Sequence, residues 1–317
     1  MKEIQRQTKI ITLTLNPAFD LHCYTKEFVA CKENIATVTD FDAGGKGVNV
    51  SRALQANGID NISIALLGEE NGAAFTAALE KEGLYLQSVC VAGRIRENIT
   101  IHTENAPETR LSFDGFTATS EALKEIVNRI GEVKDDTLIA LTGSLPRGMS
   151  IEAVKEVMQE FVRQGAKLII DSRSFSLSDL VECSPFLIKP NEQEIQTYTG
   201  VCPSNEKEAA TLAETLRQKG VENVLLSLGA RGAVLSCAEG IFYGKAPKIE
   251  AISTIGAGDS MIAGFLSAYV KGKTKSEVLK SAIAYGTAAC LQKGTKPPLP
   301  KDVVAIERQT EIQIING

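Results

Sequence analysis

Short apolar runs alternate with amphipathic segments along most of this chain, and that alternation restricts the fold more than any other feature. The first run, residues 10–15, is Ile-Ile-Thr-Leu-Thr-Leu, which is typical of a buried strand, and it ends at the turn-forming pair Asn16-Pro17. Strands connected through helices pair in parallel, with helices on both faces of the sheet. The sequence therefore predicts an α/β fold with strands at 10–15, 62–67, 137–142, 167–171 and 223–227, and helices at 48–57, 72–81, 151–163 and 206–218.

Two stretches, residues 21–42 and 97–113, interrupt this alternation. Residues 98–103 alternate polar and apolar side chains, as a half-exposed strand does. We expect the two stretches to form a small separate β-layer, a lid over the crevice at the carboxyl ends of the main strands. The alternative is a surface hairpin, and the pattern by itself leaves both interpretations open.

The length and the charge limit the domain organisation and the partners. A chain of 317 residues exceeds the usual size of one domain, so we expect one large domain over residues 1–317 that carries the β-layer as a subdomain. The net charge is −5 with both signs interspersed, so the chain lacks the basic field that gathers nucleic acid or anionic lipid. An anionic ligand would have to be attracted by a local site.

The cysteine pattern indicates a reducing compartment. The seven cysteines include no Cys-x-x-Cys pair, and with two histidines no zinc-binding spacing can be assembled. Residues 1–9 are polar and lack the apolar core of a signal peptide, and no uncharged run is long enough to span a bilayer. We expect a cytoplasmic protein with no membrane or nucleic-acid partner.

The most informative motif is Ser-Thr-Ile-Gly-Ala-Gly-Asp-Ser at residues 253–260, directly before a helical pattern. The glycines, Gly256 and Gly258, let backbone amides crowd toward an anion, and the helix start adds unpaired N–H groups and a positive dipole end. Asp259 falls in the first turn, where its carboxylate could take a proton from a hydroxyl that attacks a phosphoryl group. The alternative is that Asp259 is only an acidic residue favoured at a helix start.

Two familiar nucleotide-binding motifs are absent. A P-loop ending at Lys46 would need a glycine at position 40 and a serine or threonine at position 47, where the chain has Asp40 and Gly47. A dinucleotide-binding fingerprint that begins at Gly256 would need a glycine at position 261, which is Met261. Both motifs are excluded.

A second glycine-rich cluster is Asp-Ala-Gly-Gly-Lys-Gly-Val-Asn at residues 42–49. Consecutive glycines allow a ligand to approach the backbone closely, and Lys46 and Asn49, one helical turn apart, can point to the same side. The cluster could therefore hold a polar substrate. The alternative is a glycine-rich turn with a solvated lysine.

A third cluster, at residues 187–194, joins a short strand to a helix start. Asn191 and Glu194 have the spacing of a capping box, which is a structural role. That role is compatible with a function, since Glu194 could also organise Mg²⁺ through water while Lys189 faces nucleotide phosphates.

Glycine-bearing turns also follow two other predicted strands, at residues 142–146 and 227–232. Open α/β sheets bind ligands at the carboxyl ends of their strands. Four such turns in one chain therefore indicate a shared crevice.

These motifs together resemble the ribokinase family, in particular its phosphofructokinase-B branch. They follow one another over essentially the whole chain, at residues 14–20, 43–50, 143–146, 189–191, 227–229 and 256–260. The resemblance implies a ribokinase-like, Rossmann-type parallel sheet flanked by helices, and a small β-sheet lid that serves as the interface of a homodimer. It also implies ATP with Mg²⁺ as the phosphoryl donor.

The resemblance implies a role for each matching position. Asp259 would be the catalytic base, with Gly256, Ala257 and Gly258 as the anion hole. Contacts with the sugar are implied for Asp20, Gly44, Gly45, Lys46, Asn49 and Ser144, and Arg96 matches the arginine that reaches the phosphate already on the substrate. Contacts with ATP are implied for Lys189, Asn191, Ser227, Gly229 and Gly232, and Glu194 matches the glutamate associated with the metal.

The branch implies transfer of the γ-phosphoryl group to a hydroxyl of a ketohexose phosphate. Fructose 1-phosphate is the first expectation, since residues 16–20 and 114–116 look most like enzymes with that substrate, and tagatose 6-phosphate and then fructose 6-phosphate are the alternatives. Ser253 stands where cation-dependent relatives carry an aspartate, so we do not expect activation by potassium. A non-catalytic sugar or nucleotide sensor is the alternative from another class, although Asp259 and Lys46 are both retained.

Overall fold

The computed structural model describes residues 8–315, so that most of the polar N-terminal segment used above, residues 1–7, lies outside the described range. The strands are β1 (Lys9–Thr14), β2 (Ala18–Tyr24), β3 (Thr37–Gly44), β4 (Ile62–Gly68), β5 (Leu86–Val91), β6 (Arg96–His102), β7 (Thr109–Ser112), β8 (Thr137–Thr142), β9 (Lys167–Asp171), β10 (Leu187–Ile188), β11 (Asn223–Ser227), β12 (Ala233–Cys237), β13 (Gly240–Lys245) and β14 (Glu311–Ile315). The helices are α1 (Lys46–Ala56), α2 (Gly72–Lys81), α3 (Ser120–Ile130), α4 (Ile151–Arg163), α5 (Leu177–Glu182), α6 (Glu192–Thr199), α7 (Glu206–Gln218), α8 (Ala257–Tyr269), α9 (Lys275–Ala289) and α10 (Pro300–Gln309).

The larger sheet confirms the predicted α/β fold. Its strand order is β14-β13-β12-β11-β10-β9-β8-β1-β4-β5, and neighbours from β5 to β11 pair in parallel. The strands and helices predicted from the sequence agree with the observed ones to within two residues at each end. The parallel strands are buried on both faces, so they read as short continuous apolar runs that stand out between the amphipathic helices.

One edge of this sheet differs from the prediction of a parallel sheet. From β11 to β14, neighbouring strands pair antiparallel. The turn between β11 and β12 is short and contains a single turn of 3-10 helix at Gly229–Arg231. A short turn can join only antiparallel strands, because a parallel pair needs a crossover of a dozen or more residues.

The second sheet has the order β3-β2-β6-β7 and comes from the stretches that interrupt the alternation. It begins at Ala18, earlier than predicted, because β2 follows directly on the Asn16-Pro17 turn. One face is polar and carries Asp20, whereas Phe41 and Leu111 lie half exposed on the other, apolar face. The predicted β-layer is therefore present, and its motion as a lid stays a prediction.

Helix packing places the start of α1 next to the start of α8. Alternate residues of the strands bury their side chains on opposite faces of the larger sheet, as Ile10 and Ile11 do in β1. On the face that Ile10 covers, α1 packs against α8 and α8 against α9. No helix among the described residues is both long and apolar enough to cross a membrane.

Candidate active site

A cleft of about 670 Å³ lies between the polar face of the second sheet and the carboxyl ends of β1, β8, β9 and β10. Parallel strands all present their carboxyl ends at the same edge, which is why distant motifs meet there. Twelve of the residues predicted for the site line this cleft, namely Asp20, Gly45, Lys46, Asn49, Arg96, Ser144, Lys189, Asn191, Glu194, Gly256, Gly258 and Asp259.

Asp259 lies in the first turn of α8, as predicted, and its side chain is buried. Gly256 precedes the helix with φ 78°, a conformation that glycine adopts at little cost. The Ala257 amide donates to the carbonyl of Thr254, whereas the amides of Gly258 and Asp259 have no acceptor within the helix. The carboxylate therefore lies beside backbone N–H groups that are free to bind an anion.

A hydrogen bond from α1 orients the carboxylate of Asp259. The Nδ2 of Asn49 donates to Oδ2 of Asp259 over 2.8 Å. Burial raises the pKa of Asp259 to about 6, although the positive charge of Lys46 acts in the opposite direction. A carboxylate with this pKa is ionised at neutral pH and is a stronger base than an exposed aspartate.

Asp171 was missed in the sequence analysis, although it ends a strand that was predicted. Its Oδ2 lies 3.0 Å from Nζ of Lys46 and 3.7 Å from Nζ of Lys189, and its side chain is buried. Burial by itself would raise the pKa of Asp171, but the charges of Lys189 and Lys46 lower it. An aspartate at the carboxyl end of a buried strand was the available signal, and only the fold shows which lysines it pairs with.

Lys46 and Lys189 both lie near the start of α8. Burial would lower the pKa of Lys46, but Asp171 and Asp259 raise it above the ordinary value, so the ammonium group stays charged. A side chain at Gly258 would bring its Cβ within 3.0 Å of Nζ of Lys189. Glycine at this position therefore lets Lys189 approach the start of α8.

The second sheet supplies Asp20, which two side chains hold in place. Asn98 and Arg110 donate to Oδ1 of Asp20 over 2.9 and 3.1 Å. Its Oδ2 faces Gly44, where a Cβ would lie 3.1 Å away. Sequence reasoning missed Asn98 and Arg110, because their approach to Asp20 depends on the order of strands in this sheet.

Arg96 and Ser144 meet at the Asn16 loop. Arg96 donates from Nη2 to the carbonyl of Asn16 over 3.2 Å, and Nδ2 of Asn16 donates to the hydroxyl of Ser144 over 3.1 Å. Burial lowers the pKa of Arg96, although its guanidinium remains charged at any physiological pH. This end of the cleft therefore offers a cation and a hydroxyl to an anionic group.

Several buried polar atoms in the cleft have no hydrogen-bond partner among the described residues. They are Oγ1 of Thr14 and of Thr295, Oδ1 of Asn16, Asn49 and Asn98, and Nε of Arg96. Buried polar groups are normally hydrogen-bonded. Their concentration here fits a ligand with many hydroxyl groups.

The capping box predicted at Asn191 and Glu194 is present. The Asn191 side chain accepts from the amide of Glu194, and Oε2 of Glu194 accepts from the amide of Asn191 over 3.0 Å. Within residues 8–315, no three His, Cys, Asp or Glu side chains are arranged to hold a metal ion. The link between Glu194 and a metal stays a prediction.

Five predicted residues do not line the cleft: Gly44, Ala257, Ser227, Gly229 and Gly232. Gly44 and Ala257 directly adjoin residues that do. The amide of Ser227 donates a hydrogen bond to the carbonyl of Pro190, and Gly229 has φ 56° in the turn after β11. A Cβ at Gly232 would lie 1.9 Å from the carbonyl oxygen of Gly244, so close strand packing explains that glycine. Contact between the last three residues and a nucleotide stays a prediction.

Comparison with known proteins agrees with this geometry. The model of the pfkB family of carbohydrate kinases matches residues 13–302. The 1-phosphofructokinase of Escherichia coli strain K12 is 29% identical over 309 residues, which are 97% of this chain and 99% of that protein. The 1-phosphofructokinase of Borreliella burgdorferi is 32% identical over 284 residues, 89% of this chain and 92% of that protein.

Solved structures share the fold over nearly the whole chain. Phosphofructokinase-2 from Escherichia coli, in complex with substrates and products, has a TM-score of 0.88 and 25% identity and covers 95% of this chain and 99% of its own. A possible 1-phosphofructokinase from Thermotoga maritima has a TM-score of 0.83 at 22% identity, covering 97% of this chain and all of its own. Because the family model covers most of the sequence, this chain belongs to the pfkB family of carbohydrate kinases.

Proposed function

We propose that this carbohydrate kinase transfers the γ-phosphoryl group of ATP to the free 6-hydroxyl of fructose 1-phosphate, giving fructose 1,6-bisphosphate. The observation that carries the proposal is the environment of Asp259. This carboxylate is buried at the start of α8, held by Asn49, and has its pKa raised to about 6. This position supports a role as the base that acts on a hydroxyl facing the free amides of a helix start.

The two ends of the cleft suit two different ligands. Asp20, Asn49 and the unpartnered atoms near them offer hydrogen bonds to sugar hydroxyls, and Arg96 with Ser144 suits the phosphate already on the sugar. At the other end, Lys189 and the start of α8 suit the phosphates of the donor. The sugar hydroxyl and the donor phosphate would then meet at Asp259.

The mechanism follows from these positions. Asp259 accepts the proton of the acceptor hydroxyl as its oxygen bonds to the γ-phosphorus and the bond to the β-phosphate oxygen breaks. The free amides at the start of α8 and the ammonium groups of Lys46 and Lys189 stabilise the negative charge on the transferring group. Asn49 holds the carboxylate in the orientation that this proton transfer needs.

Kinases of this family use ATP and a divalent metal, and the residues present fit such a metal only in part. Mg²⁺ usually takes one or two carboxylates from the protein and its remaining ligands from phosphates and water. Glu194 lines the cleft with one oxygen engaged in the cap and is the residue we assign to this role. A bound Mg²⁺ would offset charge on the phosphates of the donor.

The choice of fructose 1-phosphate rests on relatives of 29% and 32% identity that are named 1-phosphofructokinase. Fructose 6-phosphate is a specific alternative, because a structural relative, phosphofructokinase-2 of Escherichia coli, has been solved in complex with it. Tagatose 6-phosphate remains a further alternative. A non-catalytic sensor is disfavoured because Asp259 and Lys46 both line an intact cleft.

The test is a measurement of ADP release with Mg²⁺ and ATP across fructose 1-phosphate, tagatose 6-phosphate, fructose 6-phosphate and unphosphorylated sugars. We expect the highest kcat/KM for fructose 1-phosphate, and ³¹P NMR should identify a 1,6-bisphosphate product. Asp259→Asn is the control, and its turnover should fall about 1,000-fold while ATP still binds. A preference for another sugar would contradict the proposed substrate, and normal turnover of the variant would contradict the base.

We also propose a homodimer that forms through the apolar face of the second sheet, in a cytoplasmic protein whose seven cysteines are all free. Phe41 stacks on Phe19 yet remains 51% exposed, and Val38 and Leu111 on the same face are 57% and 44% exposed. Contiguous exposed apolar side chains mark association sites. Phosphofructokinase-2 of Escherichia coli has a tetrameric inhibited form, which supports association through some surface of this fold.

A further inference from the structure

The positive side chains of the cleft are not equally engaged. Lys46 and Lys189 share the carboxylate of Asp171, and Arg110 donates to Asp20. Arg96 donates to a backbone carbonyl. Each of these four cations has a polar partner in the protein within about 4 Å, although the buried Nε of Arg96 has none.

Arg173, the fifth cation of the cleft, is much less constrained. Its side chain is 77% exposed, and the partner found for it among residues 8–315 is Oε1 of Glu194, 3.8 Å from its Nε. That distance is too long for a hydrogen bond. Oε2 of Glu194 is meanwhile committed to the cap of α6. The guanidinium is therefore free to move toward an anion in the cleft.

The backbone places Arg173 between the two ends of the cleft. It follows β9, which lies between β8, the strand before Ser144, and β10, the strand before Lys189. Two hydrogen bonds tie its segment to the β8 turn: the Gly143 amide donates to the carbonyl of Asp171, and the Leu145 amide donates to the hydroxyl of Ser174. The segment is anchored while the long side chain of Arg173 is not.

We propose that Arg173 is a further catalytic residue, whose guanidinium contacts the phosphoryl group while it passes from ATP to the sugar. This inference rests on the proposed phosphoryl transfer. Arg173 forms no covalent bond and takes no proton, since the proton of the hydroxyl goes to Asp259. Its planar fork can bind two phosphoryl oxygens through two parallel hydrogen bonds, a fixed geometry that the ammonium group of a lysine does not offer.

The charge balance of the cleft explains why a further cation would speed the transfer. The cleft must receive two phosphorylated ligands, yet Lys46 and Lys189 are already partly neutralised by Asp171. Negative charge spreads over the oxygens of the phosphoryl group during transfer, and a positioned arginine stabilises that state more than the ground state. Such a contact acts mainly on kcat, whereas a contact with the phosphate already on the sugar would act mainly on its KM.

The test compares Arg173→Gln and Arg173→Lys with Arg163→Gln. Arg163 is a matched control, because it is 64% exposed and pairs with Glu160, but lies on α4 away from the cleft. We expect Arg173→Gln to lower kcat about 100-fold with each KM within about threefold of wild type. The kcat of Arg173→Lys should lie between those of wild type and Arg173→Gln, since lysine keeps the charge and loses the fork. Added guanidinium ion should partly restore the kcat of Arg173→Gln. The control should keep wild-type kinetics.

A kcat for Arg173→Gln within about threefold of wild type would overturn the inference, as would a rise in the KM of the sugar with kcat unchanged. Hydrolysis of ATP measured without sugar separates this inference from the choice of substrate. If no ketohexose phosphate is turned over by the wild type, the proposed substrate fails, whereas hydrolysis should still fall in Arg173→Gln. Unchanged hydrolysis in that variant would count against Arg173 alone.

Discussion

The buried carboxylate of Asp259 should destabilise the folded protein at neutral pH, and Asp259→Asn should remove that cost. Burial raises the pKa of this group from 3.8 to about 6. The folded state therefore binds the proton more tightly than the unfolded chain does. Wild-type stability should fall as the pH rises from about 4 to about 6, and remain lower above that range.

The magnitude follows from the same pKa values. Each pKa unit corresponds to about 1.4 kcal/mol, so the full cost is about 3 kcal/mol above pH 7 and about 1 kcal/mol at pH 4.5. Asparagine has the shape of aspartate without the charge, and its side-chain oxygen can still accept from Asn49. The variant should therefore be more stable than wild type by these amounts, or by about 4 °C in Tm above pH 7.

The assay is urea and thermal unfolding of both proteins from pH 4.5 to pH 8, with turnover measured on the same samples. The expected result is an inactive variant whose stability advantage grows with pH and levels off above pH 7. A variant no more stable than wild type at pH 8 would refute the reasoning. An advantage that does not change with pH would show that packing, and not the buried charge, is responsible.

Three further predictions test other parts of the molecule. Asp171→Asn should lower the free energy of unfolding by about 3 kcal/mol at neutral pH, since Lys46 and Lys189 would lose their shared partner. Because the pKa of Asp171 is lowered in the folded protein, this loss, measured by urea unfolding, should shrink as the pH falls below 3.8. Gly258→Ala should lower kcat at least tenfold, because the new Cβ would displace Lys189. Thermal unfolding should show a loss of stability of less than about 1 kcal/mol, since the displaced group is the flexible end of a side chain. An unchanged kcat would count against the anion hole. Phe41→Glu should give a monomer in light scattering, whereas a persistent dimer would place the interface elsewhere.

The turn at residues 256–259 shows how far sequence reasoning reaches into the cleft. Gly256, Gly258 and Asp259 are adjacent in the chain, so one motif predicts an anion hole and a base beside it. The environment that raises the pKa of Asp259 is not local. Asn49 lies 210 residues from Asp259, and only the packing of α1 on α8 brings them together.

The sequence by itself determined most of the parallel strands of the main sheet and several of the helices beside them, because a doubly buried strand is a short continuous apolar run and a helix on the sheet is amphipathic. It also determined which strand ends carry the polar and glycine-rich turns. The tertiary structure decided the pairings: Asp171 with two lysines, Asn98 and Arg110 with Asp20, and the antiparallel edge after β11. These depend on strand order and on contacts between distant segments, which leave no periodic signal in the chain.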